Sequence, residues 1–234
     1  MRRILIFFCV CLSLNIFSQA DISNYDNLIK CNTFPDSPID EAEYYTSRGL
    51  SYGFTIPDQQ DKNNYGKFGG PYCIRTQKWI SKSLIDFDFG IAGKGVIPLY
   101  DADSVTIRQL PGLLTQKFFF NDITVELKLN IITNKTCLYQ AYLINTDATD
   151  KSVSIRLKGT AFENIGIAEE FLDGWMFKID GKDDIFWLIR FRTDNDMEMQ
   201  YSETDYEFSY KELQTIHPGD TLKMVATISQ YFQG

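Results

Sequence analysis

Histidine is almost absent from this chain. His217 is the single one in 234 residues, and it lies in Ile216-His217-Pro218-Gly219-Asp220, where Pro-Gly-Asp reads as a turn between strands. A zinc site or a Ser/His/Asp relay would need partners gathered around that imidazole, and the neighbouring sequence supplies none. No metal and no cofactor is expected. Cysteine is sparse too, with five in all. Cys9 and Cys11 fall in an apolar leader, so Cys31, Cys73 and Cys137 remain. An odd count of three allows at most one internal bridge and excludes a disulfide-built scaffold. Cys137 lies in an apolar, strand-like stretch and reads as a buried free thiol.

Long hydrophobic runs are missing as well. The apolar stretch over residues 4–17 falls short of the roughly 20 residues a helix needs to cross a bilayer. Positive charge is in deficit: 23 Lys and Arg face 31 Asp and Glu, a net charge of −8. Such a surface repels phosphate backbones, which argues against a nucleic-acid partner.

What is present begins with the leader. Arg2 and Arg3 precede the apolar run, and Ser18-Gln19-Ala20 places small residues where a signal peptidase reads them. Residues 1–20 are therefore expected to be a signal peptide cut after Ala20, leaving a secreted or periplasmic protein with no membrane attachment. A retained anchor fits these flanks less well, and Phe8 and Val10 before the two leader cysteines argue against lipidation. Loss of Arg2 and Arg3 leaves 21 basic residues against 31 acidic.

Residues 21–64 are polar and irregular, with Pro35, Pro38 and Pro57 and the acidic run Asp40-Glu41-Ala42-Glu43. They read as a lead-in packed on the domain. Residues 65–234 then show period two. Ile85, Phe87 and Phe89 alternate with Asp86 and Asp88. Ile123, Val125, Leu127, Leu129 and Ile131 alternate with polar residues, as do Val153, Ile155 and Leu157. The same holds for Trp175, Phe177 and Ile179 and for Leu222, Met224, Ala226 and Ile228. One face of each run belongs to a core and the other to water, the mark of antiparallel sheet. Turn chemistry punctuates the runs, most clearly at Asp180-Gly181. The stretch 164–171 alone hints at helix. The expected fold is all-β, an antiparallel two-sheet β-sandwich of supersandwich type.

Carboxylates are plentiful, and a glycosidase needs two at roughly 5 to 9.5 Å separation. Asp86 and Asp88 share a strand face that reads as a solvated outer surface. Glu169, Glu170 and Asp173 are the other candidates for such a pair. Trp175 and Trp187 read as core, while Trp79 is less determined. The segment Tyr65-Gly66-Lys67-Phe68-Gly69-Gly70-Pro71-Tyr72 reads as a loop whose paired glycines let backbone approach a ligand or another domain. Asn134-Lys135-Thr136 matches a glycan acceptor and reads equally as a turn.

Phe68-Gly69-Gly70-Pro71-Tyr72-Cys73-Ile74, then Lys78-Trp79-Ile80, resembles the amino-terminal β-sandwich domain of glycoside hydrolase family 63. So do the segment 110–117, the strand Ile123 to Leu127, the stretch 138–145 and the lead-in 24–29. The bacterial members related to processing α-glucosidases are the nearest likeness, and it extends over residues 24–231. It implies an (α/α)6 barrel as partner, in cis or in trans, and oligosaccharide as the ligand class. The family's catalytic carboxylates belong to that barrel, so no catalytic residue carries over and this chain alone is expected to be inactive. Phe68, Gly69, Gly70, Tyr72 and Trp79 are the implied carbohydrate or interdomain contacts. The expected function is a non-catalytic accessory domain supporting a glycosidase cleft. The alternatives are a free-standing glycan-binding module and, third, a self-sufficient glycosidase.

Overall fold

The computed structural model describes residues 31–41, 43–44, 51–171, 173–179, 185–192 and 196–232. The leader, the lead-in motif at 24–29 and the Asp180-Gly181 turn lie outside them. The chain runs through β1 (Tyr52–Thr55), β2 (Lys67–Cys73), β3 (Lys78–Trp79), β4 (Ser81–Ile91), β5 (Gly95–Ile97) and β6 (Ser104–Leu110). It continues through β7 (Leu113–Phe119), β8 (Ile123–Ile131), β9 (Thr136–Asn145), β10 (Lys151–Ala161), β11 (Ile165–Phe171) and β12 (Gly174–Ile179). The last strands are β13 (Ile185–Phe191), β14 (Met197–Tyr201), β15 (Asp205–Tyr210), β16 (Gln214–Ile216) and β17 (Thr221–Phe232).

Two antiparallel sheets result, one of nine strands ordered β1-β2-β4-β10-β15-β14 with β3, β5 and β16 attached, the other of eight ordered β11-β12-β13-β17-β9-β8-β7-β6. The fold is the two-sheet sandwich that the alternation requires. Inward side chains of both sheets make one core: Phe87, Leu157 and Phe208 come from the first, Val125, Leu143 and Ile189 from the second, and all are fully buried. Trp187 belongs to that core, its ring edge-on to Tyr52 at 6.5 Å. Trp175 is half-buried and leans inward on Phe208 at 5.0 Å between centroids.

Three segments depart from the sequence reading. The lead-in contributes β1, whose four residues are all buried and therefore show no alternation. The supposed loop 65–72 is largely β2, paired to β1 on one side and β4 on the other. The stretch with helical hints is β11, an edge strand whose register slips between Ile167 and Glu169. That bulge hides the period of two. The Leu-Pro-Gly segment closes a two-residue hairpin turn, with Leu110 opposite Leu113 and Gly112 at φ +75°. Proline followed by a positive-φ glycine is the type II arrangement.

Candidate functional site

The five residues singled out at 68–79 do come together, mostly under the surface. Phe68 and Trp79 are fully buried. The Trp79 indole N–H donates to the Asp40 carbonyl at 2.9 Å, so the tryptophan clamps the lead-in. The paired glycines serve packing within this chain. A Cβ on Gly69 would sit 2.2 Å from the Thr55 hydroxyl, and one on Gly70, at φ +95°, 2.8 Å from the Trp79 ring. Tyr72 is half-buried and stacks on Tyr44 at 4.3 Å. A carbohydrate or interdomain contact at this corner would rest on those two tyrosines.

The carboxylates separate into different settings. Asp86 and Asp88 share the outer face of the nine-stranded sheet. Register aligns Lys67, Asp86, Lys158, Glu207 and Gln200 across five strands. Lys158 reaches diagonally to Asp88, and Arg156 bridges Asp88 at 3.5 Å and Glu207 at 3.8 Å. Asp86 makes no ion pair of that length among the described residues. Burial pushes its carboxyl up to about 6, with Lys67 and Lys158 pulling it down and Asp88 adding to the rise. Glu169 and Glu170 are exposed on the edge strand β11. His217 is exposed and bonded to Asp150 at 3.0 Å, which raises its pKa.

The outer face of the eight-stranded sheet is built differently. Met176, Phe186, Leu188, Leu138 and Val225 all point outward and are half-buried. Beside Leu138 and Val225 lies a trough of about 540 Å³, with Gln140 and Thr227 along it. Asp173, Arg190, Arg192 and Lys223 border the same space. Register explains the meeting: Leu138 lies opposite Thr227, Thr227 opposite Arg190, and the Arg192 amide bonds to the Val225 carbonyl at 2.9 Å. Arg190 grips the Asp173 carboxylate with Nε at 3.0 Å and Nη2 at 2.7 Å. The Tyr142 ring carries Lys128 at 5.1 Å and Lys223 at 5.3 Å. Sequence reasoning missed this group. Its residues occupy polar positions of separate strands, and only the inter-strand register unites them.

Among the described residues no group of His, Cys, Asp and Glu could hold a metal ion. No helix there is long and apolar enough to cross a membrane.

No family model matches the sequence, and no curated protein does. Solved structures match at low identity. A protein described as a kojibiose phosphorylase from the human microbiome is 9% identical, with a TM-score of 0.49 over 89% of this chain and 29% of that one. A heparinase III with methylated lysines is 9% identical, with a TM-score of 0.49 over 86% of this chain and 37% of its own. Heparan sulfate lyase HepC from Pedobacter heparinus gives 9%, 0.43, 62% and 24% for the same quantities. The chain spans well under half the length of each.

Proposed function

We propose that this chain is an exported, non-catalytic β-sandwich module of a carbohydrate-active enzyme, of the kind that adjoins a family 63 barrel. In this reading the outer face of the eight-stranded sheet packs on an (α/α)6 barrel, in cis or in trans, and helps shape its cleft. The supporting observation is an apolar cluster among the polar residues on the outer face of the eight-stranded sheet. An antiparallel sheet facing water is polar on that side, as the Lys67–Asp86–Lys158–Glu207–Gln200 row is. At the β12–β13 end of the opposite face Met176 lies across from Leu188, with Phe186 two residues along the same strand. A contiguous apolar strip on a sheet exterior belongs to a surface that is covered. The sequence motifs at 68–80 and 110–117 supply the link to carbohydrate enzymes.

A stacking glycan-binding module is less well supported. The most exposed aromatics among the described residues, Tyr100, Tyr201 and Tyr231, lie in a short 3-10 helix, in the first sheet and in the second. They offer no shared platform. A charge placed in the strip tests the reading: Leu188→Glu should abolish association with the barrel and leave the sandwich folded.

A further inference from the structure

We propose that the trough along β9 and β17 receives an acidic carbohydrate, one whose sugars carry carboxylate or sulfate groups. The inference rests on the reading of this domain as part of a carbohydrate-active enzyme and names the substrate class of that face. Lys117, Lys128, Lys178, Arg190 and Lys223 all project from the outer side of the eight-stranded sheet, with Arg192 following directly after β13. Glu126 and Asp173 lie among them, paired to Lys128 and Arg190, and on a chain of net charge −8 the excess left on this face is cationic. A cationic patch in a repelling surround concentrates anions at one place and nowhere else.

The local geometry suits a sugar acid. Lys128, paired with Glu126 at 3.1 Å, and Lys223 both lie over the one Tyr142 ring. Arg192 and Lys223 make no ion pair among the described residues, so their charges are available to a ligand. A guanidinium fork matches the two oxygens of a carboxylate or sulfate. Leu138 and Val225 offer an apolar floor for a ring face, and Gln140 and Thr227 offer amide and hydroxyl groups for ring hydroxyls. The trough's volume of about 540 Å³ is within the range of ligand sites, roughly 300–1,000 Å³.

The test is calorimetric titration of the mature chain with hexameric oligogalacturonate, a heparin hexasaccharide, maltohexaose and a hexaglutamate peptide. Both acidic sugars, or the one whose anion fits, should bind, with affinity falling as salt rises from about 20 to about 200 mM. The double variant Arg192→Gln, Lys223→Gln should weaken binding about five- to thirty-fold. The charge-matched control Lys94→Gln, Lys211→Gln should leave it unchanged. Maltohexaose binding equally well, hexaglutamate binding as tightly as the sugars, or an unaffected double variant would each overturn the inference. Loss of sugar binding with barrel association intact sinks this inference alone. Loss of barrel association with sugar binding intact sinks the docking reading alone.

Discussion

Arg190 and Asp173 form a two-pronged ion pair, with Nε 3.0 Å and Nη2 2.7 Å from Asp173 Oδ2, at the rim of the trough on the eight-stranded sheet. The pair ties the turn before β12 to β13 and places a carboxylate at the trough's rim. Asp173→Asn removes that negative charge and frees the Arg190 fork. Acidic-sugar affinity should rise two- to five-fold or so, as one exposed pair's worth of electrostatics allows. Titration of the single variant against the unchanged chain reads this, and weaker binding would contradict it.

Asp86 predicts a pH effect whose sign is opposite to that of most acidic residues. Its carboxyl is raised to about 6 in the fold by burial, against roughly 3.9 when unfolded. Between those values the unfolded state has released the proton and the folded state still holds it, so stability falls as pH rises through the window. Below it both states are protonated and no cost remains. Asp86→Asn should therefore stabilise the domain at pH 7 by about 1–2 kcal/mol, discounted for its half-buried setting, and by nothing near pH 3. Urea unfolding at both pH values measures it. An equal gain at both would place the cause elsewhere.

Trp79 and Tyr72 are neighbours with different consequences. Trp79 is fully buried and holds Asp40 of the lead-in, so Trp79→Ala should cost about 3–5 kcal/mol. Tyr72→Ala removes a half-buried ring stacked on Tyr44 and should cost much less, about 1 kcal/mol. Denaturant melts of the two variants compare them directly.

Much of this fold is legible in the chain, because five strands alternate cleanly and each alternation returns as one buried and one outward face. The failures have physical causes. Tyr52 to Thr55 is buried on both faces, so period two is absent. Gly69, Gly70 and Pro71 read as loop chemistry, yet Gly69 is small because Phe34 and Thr55 press on the strand there. Glu169 and Glu170 sit beyond a bulge that breaks the pattern. The trough was illegible for a different reason. Leu138, Thr227 and Arg190 become neighbours only through the pairing of β9 with β17 and of β17 with β13, which no single strand encodes.

The three cysteines outside the leader are all free and buried. Burial, with Glu43 nearby, raises the Cys31 thiol to about 11, and Cys137 is raised further by burial. A thiol held protonated inside a core reacts slowly. A thiol-specific chromogenic reagent should find none in the folded mature chain and three after denaturation. Fewer than three in denaturant would reveal a bridge.

The central claim is that the outer face of the eight-stranded sheet is covered by a barrel. The most direct measurement is size-exclusion chromatography of the mature chain co-expressed with the (α/α)6 barrel encoded beside it or in continuation of its frame. The account predicts that the two travel together, that Leu188→Glu separates them, and that Asp88→Lys on the opposite face does not. A mature chain that elutes alone, or a complex indifferent to Leu188→Glu, would contradict it.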